Sequence, residues 1–371
     1  MRSTSRIRRS TGTTGPIDLR SDTVTRPTKQ MRAAMAAAEV GDDVLDHDPT
    51  MRRLEERVAD LLGAAAALWT PSGSMANVIA LMSHLSRGDA FLAPVGAHVL
   101  DNELGTAGWL AGGMPRPLEH DGGPGKISPD AVRRAAGTPG PYYALRTTLL
   151  CLENTHNAAG GTVTAPEEQV AVAAAARAAG LRVHLDGARI WHAAVALGVP
   201  PGALTVGTDT VQVCLSKGLG APVGSLVAGT AEFVEDARRL RKMLGGGVRQ
   251  GGVLAAAGLV ALERIDRLAE DHERARVLAS GLRERGWQVT PPQTNIVLVA
   301  VADLEGTLRR FTAAGVAAAP MAGRVRLTTH ADLGDADIAA ALERIGAADG
   351  GLRTGAGAAS GHPAPGRPAG R

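Results

Sequence analysis

The stretch TVQVCLSKGLGAPVGS (210–225) decides the reading of this chain. Val211, Val213 and Leu215 alternate with Gln212, Cys214 and Ser216, which is the period of a strand. The apolar run then stops at a single lysine, Lys217, between a serine and a glycine. A long cation on the rim of a buried strand needs a reason. Taken alone, Lys217 reads as a surface residue whose stem lies on apolar neighbours while its ammonium reaches water.

Working outward, the chain alternates strand-like and helix-like segments. AALWT (66–70), FLAP (91–94), TTLLCLE (147–153), RVHLD (182–186), TVQVCLS (210–216) and SLVAG (225–229) read as strands. Helical patterns follow Pro-Ser-Gly at 71–73 and run from Pro166 through Ala179. The alternation predicts an α/β fold with a mainly parallel sheet between helical layers. After Gly252 come an Ala/Leu-rich helical stretch, a strand NIVLVAV (295–301), a helix near 304–314, a strand RVRLTTH (324–330) and a helix from about 334 to 346. These predict a smaller C-terminal α+β domain. The expected division is an N-terminal extension at 1–16, an arm plus large domain at 17–252, a small domain at 253–348 and a low-complexity tail at 349–371. Both ends are polar or Gly/Ala/Pro-rich and are expected to be disordered.

Composition narrows the function classes. The chain has 371 residues, 44% of them hydrophobic, and a net charge of +3. Part of that excess lies in Arg2, Arg6, Arg8 and Arg9 and in the tail. No basic stripe is interleaved with aromatics, so no nucleic-acid partner is expected. No apolar run reaches membrane-spanning length. Cys151 and Cys214 each sit inside an apolar run and read as buried thiols of a reducing compartment. The N-terminus carries no apolar signal core. The expectation is a cytoplasmic protein with no metal and no membrane or nucleic-acid partner.

Sheets of this kind place ligands beyond the carboxyl ends of their strands, and the unusual polar residues cluster there. Asp186 ends its strand in HLDGAR (184–189), with Gly187 to turn and Arg189 three residues on. A helix cap is the plainer reading of Asp186 alone. A lysine and a carboxylate on neighbouring strand ends suit a pyridoxal phosphate site. The lysine forms a Schiff base with the aldehyde, and the acid keeps the pyridine nitrogen protonated. A phosphate could rest on the turn PSGSMAN (71–77). There Gly73 lets the backbone approach, Ser74 and Met75 offer N–H groups at a helix start, and Ser216 adds a hydroxyl.

The chain resembles the low-specificity L-threonine aldolase family of pyridoxal-phosphate-dependent enzymes of fold type I. The matching stretches are DLRSDTVTRPT (18–28), VGDDV and DPT (40–44, 48–50), PSGSMAN (71–77), AH (97–98), LENTHNAAGG (152–161), HLDGARIWHAA (184–194), CLSKGLGAPVGSL (214–226), RRLRKMLGGGVRQGG (238–252) and RVRLTTH (324–330). They occur in family order over residues 17 to 347.

The resemblance implies a seven-stranded-type central sheet and a homodimer or homotetramer. Lys217 would be the Schiff-base lysine, Asp186 the pyridinium partner, and His98 would stack on the ring. Gly73, Ser74 and Ser216 would hold the phosphate, with Arg249 assisting from this subunit or its partner. Ser21, Arg189 and Arg326 would grip the carboxylate of an amino-acid substrate. His156 would sit near its β-hydroxyl, with Glu153 and Asn154 helping to position it. The implied reaction is reversible cleavage of L-threonine, L-allo-threonine or a related β-hydroxy-α-amino acid to glycine and an aldehyde. His156 and His98 are the candidate bases. A β-eliminating lyase or racemase on the same scaffold uses the same lysine and aspartate, and a noncatalytic cofactor-binding protein is the remaining alternative. The sequence departs from the family at Leu45-Asp46-His47, where an aromatic followed by glycine is usual.

Overall fold

The computed structural model describes residues 15–137 and 140–348. Residues 1–14 of the N-terminal extension and the tail at 349–371 lie outside the described residues. The strands are β1 (Ile17–Asp18), β2 (Ala66–Thr70), β3 (Ala90–Pro94), β4 (Met114–Leu118), β5 (Thr147–Glu153), β6 (Arg182–Gly187), β7 (Thr210–Cys214), β8 (Ser225–Gly229), β9 (Gln288–Thr290), β10 (Ile296–Ala300), β11 (Val316–Ala317), β12 (Ala319–Met321) and β13 (Arg324–Thr328).

Seven strands form the central sheet in the order β2-β8-β7-β6-β5-β3-β4. Its pairs are parallel except those made by β8, which runs antiparallel to both β2 and β7. The cause is local. Ten residues of turn separate β7 from the next strand starting at Ser225, too few for a crossover helix, so the chain doubles back. Every residue of β3 and β7 is buried, as expected of strands covered on both faces. Sequence patterning misses β4, which reads MPRPL; prolines argue against a strand interior. The structure resolves the conflict by placing β4 at the sheet edge, where a missing N–H disrupts no second ladder.

One helix shows how the layer beneath the site is fixed. Asp48 caps Pro49–Leu62, its Oδ1 accepting from the amides of Thr50 and Met51 at 3.0 and 2.9 Å. Pro49 opens the helix and Gly63, at φ 64°, ends it. Met51, Leu54, Val58 and Leu62 recur at helical spacing and are buried. Against them packs Gly252–Leu262, a helix rich in Ala and Gly. Its small residues allow close contact: a Cβ on Gly258 would lie 2.9 Å from Leu215 and Leu54. The chain just before Lys217 therefore rests on a tightly packed floor. Met31 and Trp191 are core residues as well, and the Trp191 indole donates to the Cys214 carbonyl at 2.9 Å.

The C-terminal unit is a four-stranded antiparallel sheet, β12-β13-β10-β9, with Leu268–Glu284 and Leu304–Ala313 against it and Asp335–Ala348 packed on both helices. The N-terminal arm joins this unit. β1 pairs with β11, and Ile17 and Leu19 share a core with Leu278, Val297 and Leu327. The Thr328 amide donates to the Leu19 carbonyl at 2.8 Å. That bond anchors the arm where Arg20, Ser21 and Asp22 begin.

Candidate active site

The carboxyl ends of β3, β5, β6 and β7 converge on one group of polar side chains. Asp186 ends β6 and is almost fully buried. Its Oδ2 accepts from Asn77 Nδ2 at 2.8 Å, and its Oδ1 from Gln212 Nε2 at 2.6 Å and the Ala188 amide at 3.0 Å. All three partners can only donate at these atoms, so the carboxylate acts purely as an acceptor, the role of an ionised group. Burial pushes its pKa up, but the positive charges of His98 and Lys217 and these donors outweigh it and hold the pKa below the ordinary value. Gln212 lies opposite Asp186 in the β6–β7 register. The polar residue in the buried strand TVQVC thus points at the carboxylate.

Lys217 follows β7 by three residues and is half-buried. Its charge acts on Asp186, His98 and Asp22, and among the described residues its ammonium forms no hydrogen bond or ion pair. A side chain on the next residue, Gly218, would overlap His192 Nε2, so only glycine fits after the lysine.

His98 opens a short helix after β3. Its amide donates to Glu153 Oε2 at 2.7 Å and its Nδ1 lies 2.9 Å from Glu103 Oε1. Burial lowers its pKa, but the Glu103 bond and the charge of Asp186 prevail and raise it above the ordinary histidine value. Asn77 Nδ2 also donates to Glu103 Oε1 at 2.8 Å. His98, Glu103 and Asp186 offer ligand atoms within 4.8 Å of one another. An N–H donor bonded to both carboxylates faces that gap, which disfavours a cation there.

Two guanidiniums meet at a second convergence. Arg189 Nε and Nη2 bond Asp22 at 2.8 and 2.7 Å, a side-on fork between buried partners. Arg189 Nη1 and Arg326 Nη1 both donate to Asn157 Oδ1, at 3.2 and 3.1 Å. Arg326 Nη2 donates to the Arg20 carbonyl at 2.9 Å, and its buried Nε has no partner among the described residues. Along β13 the neighbours Val325 and Leu327 face the core, so the guanidinium leaves on the opposite face. That face is turned to Asn157, not to bulk solvent. Ser21, half-buried, accepts from the Thr23 amide at 3.3 Å beside this group.

The other sequence-derived candidates are placed less centrally. Ser72 caps Gly73–His84 and takes the Met75 amide at 3.2 Å, so Met75 N–H, expected to face a phosphate, is already used by the cap. Among the described residues the Gly73 and Ser74 amides have no protein partner. A Cβ on Gly73 would come within 2.9 Å of Cys214 Sγ, which explains the glycine. Ser216 is half-buried. Arg249 is exposed and pairs with Asp42 at 3.0 Å; within one subunit it touches none of Gly73, Ser74 and Ser216.

His156 is buried, with its ring edge-on to His120 at 5.2 Å. Its Nδ1 accepts from the Ala159 amide at 3.3 Å, so in the neutral ring Nε2 carries the hydrogen, and it has no partner. Burial and His120 lower its pKa to about 4. Glu153, buried and beside Asp186, is raised to about 7.

Asp22, Asn77, Glu103, Asn157 and Gln212 were not singled out from sequence. Asp22 and Asn77 lie inside motifs that were, and Gln212 stands out as a polar residue in a buried strand. Glu103, five residues beyond His98, carries no comparable signal.

Fold and site together define a pyridoxal-phosphate-dependent lyase. Residues 18–304 match the beta-eliminating lyase family. The chain is 43% identical to a probable low-specificity L-threonine aldolase of Arabidopsis thaliana, over 87% of this chain and 94% of that protein. It is 42% identical to the low specificity L-threonine aldolase of Escherichia coli K12, over 85% and 94%. The fold is shared with Leishmania major threonine aldolase, with a TM-score of 0.77 at 19% identity over 89% and 98% of the two chains. The chain belongs to the beta-eliminating lyase family and, within it, to the threonine aldolases. The residues present fit the cofactor: an unpaired lysine, an acceptor-only carboxylate, and free amides at a helix start.

Proposed function

We propose that this protein cleaves L-threonine, L-allo-threonine or a related β-hydroxy-α-amino acid reversibly to glycine and an aldehyde. The observation that carries the reading is the placement of one unpaired lysine and one ionised aspartate at adjoining strand ends, next to two guanidiniums that share an acceptor. Pyridoxal phosphate, when bound, supplies the sink for the electrons left on Cα as the Cα–Cβ bond breaks.

The chain's own groups do the rest. Lys217 would hold the cofactor covalently, and Asp186 would keep a proton on its ring nitrogen. The Gly73 and Ser74 amides and the Ser216 hydroxyl would receive the phosphate, with Arg249 reaching it from a partner subunit. Arg326, Arg189 and Ser21 would hold the substrate carboxylate and so fix the orientation of the substrate.

His98 would lie against the bound cofactor and would take the β-hydroxyl proton at Nε2, directly or through a water. Glu103 at Nδ1 orients this base and raises its basicity, the arrangement expected of an activated imidazole. His156 already accepts an amide at Nδ1, so its Nε2–H is a donor to the β-hydroxyl. Exposed apolar side chains at Leu45, Leu104 and Trp109 support a homodimer or homotetramer. No helix among the described residues is long and apolar enough to cross a membrane. The free, buried Cys151 and Cys214 support a cytoplasmic location.

The test is product analysis with purified holoenzyme. Threonine should yield glycine and acetaldehyde. Pyruvate and ammonia from serine or cysteine, without acetaldehyde from threonine, would identify an eliminating lyase instead.

A further inference from the structure

We propose that Asp22 is a positioning residue for substrate binding: its carboxylate locks the Arg189 guanidinium in one orientation and offsets its charge. The clamp then meets the substrate carboxylate with a pre-aimed donor pair and a single net positive charge. The proposal rests on the reading of Arg189 and Arg326 as the carboxylate clamp.

Four lines of geometry carry it. First, Asp22 is fully buried and binds both Nε and Nη2 of Arg189, at 2.8 and 2.7 Å. This side-on fork fixes the plane of the guanidinium. Of five N–H groups, Asp22 takes two and Asn157 one, leaving one on Nη1 and one on Nη2 for a ligand.

Second, the clamp is assembled from separate parts of the chain. Asp22 comes from the N-terminal arm, Arg189 from the turn after β6, Asn157 from the turn after β5, and Arg326 from β13. Without a fixed reference their spacing would vary with every shift between the units. Asp22 supplies that reference. Asn295, just before β10, donates to its Oδ2 at 3.3 Å. His192 Nε2 stands 3.8 Å from the same oxygen, and its Nδ1 bonds His272 Nε2 at 2.9 Å. Arm, large unit and small unit thus meet at one carboxylate.

Third, the charges match the ligand. Two guanidiniums against one carboxylate leave one uncompensated positive charge, enough for one substrate carboxylate. Arg189 and Arg326 crowd one amide oxygen, and Asp22 relieves their repulsion. Fourth, Arg326 keeps a buried Nε without a partner, and Asp22 does not reach it. The charge that attracts the substrate is therefore mainly that of Arg326, while Arg189 supplies direction.

The experiment compares two ligands of the holoenzyme through the shift each causes in cofactor absorbance. Glycine carries a carboxylate and methylamine does not. Asp22→Asn preserves size but removes charge and turns an N–H toward the guanidinium. It should weaken glycine by about tenfold to a hundredfold and leave methylamine unchanged. Arg326→Gln, run alongside, tests the clamp itself and should also weaken glycine selectively.

An unchanged glycine-to-methylamine ratio in Asp22→Asn, with the ratio lowered in Arg326→Gln, overturns the proposal while the clamp stands. Equal weakening of both ligands in Asp22→Asn makes Asp22 merely structural and also overturns it. If neither variant alters the ratio, the clamp reading has failed. Should Asp22→Asn not accumulate as holoenzyme, Asp22→Glu decides by the same ratio. It keeps the charge but displaces the fork, so glycine should again weaken alone.

Discussion

Asp186 and Asp22 are both buried carboxylates held below their ordinary pKa, yet they are built differently. Asp186 is surrounded by neutral donors: two side-chain amides and one backbone amide. Its nearest cations, His98 and Lys217, act on it without a hydrogen bond. Asp22 is consumed by one cation, Arg189, in a two-bond fork. The first arrangement leaves a charge available to a ligand cation, as a protonated ring requires. The second spends the charge inside the protein to aim a donor. Burial alone therefore does not define a carboxylate's task. The partner set does, because low polarity strengthens whatever contact is present.

The contrast makes graded predictions. The largest effect belongs to Asp186→Asn. An asparagine cannot hold a proton on the ring nitrogen, and kcat should fall on the order of a hundred- to a thousandfold while Lys217 still binds cofactor. A variant retaining a tenth of wild-type kcat would erase the distinction between the two aspartates.

Next comes Arg326→Gln. If Arg326 grips the substrate carboxylate as proposed, KM for threonine should rise about tenfold to a hundredfold with a smaller change in kcat. An unchanged KM would remove Arg326 from the clamp.

Glu103→Gln should act on pH dependence. Losing the carboxylate beside Nδ1 lowers the His98 pKa, so the acid limb of kcat/KM should move to lower pH. A limb that stays in place would exclude His98 as the titrating base.

The smallest effect concerns stability. His156 has a folded pKa of about 4 against an ordinary value of 6.5. Between these values the unfolded chain takes up a proton that the folded chain does not. The associated stability is complete above pH 6.5 and is lost as pH falls toward 4. Thermal melts of His156→Asn apoprotein should show a shallower acid decline, by at most about 1.4 kcal/mol per pH unit. An unchanged slope would show that His156 protonates freely in the folded state.

The two regions also differ in how far they can be read from sequence. Lys217 and Asp186 stand at strand ends inside short local motifs, where a break in period marks them, whereas His98 at a helix start came from family resemblance. The strands AALWT, TTLLCLE and SLVAG coincide with β2, β5 and β8 because continuous apolar runs between turns report local burial. The clamp is less legible. Ser21, Arg189 and Arg326 came from family resemblance, and nothing local joins Asp22 to Arg189, a partner 167 residues away. Asn157 looks like one more turn residue in NTHN until two arginines reach its oxygen. β4 was hidden by its prolines, whose meaning depends on an edge position that only the assembled sheet supplies. Nothing in the local sequence joins His98 to Glu103, five residues on, whose contact at 2.9 Å exists only in the folded site.

The most direct test of the central claim uses the small number of lysines. The sequence holds only four: Lys29, Lys126, Lys217 and Lys242. Lys126 is already paired with Glu168 at 2.7 Å. Treating the holoenzyme with borohydride converts a lysine–cofactor double bond into a stable amine, and peptide mass mapping then locates it. The account predicts a stoichiometric cofactor adduct on Lys217 alone. An adduct on another lysine, or a fully active holoenzyme with no adduct on Lys217, would contradict it.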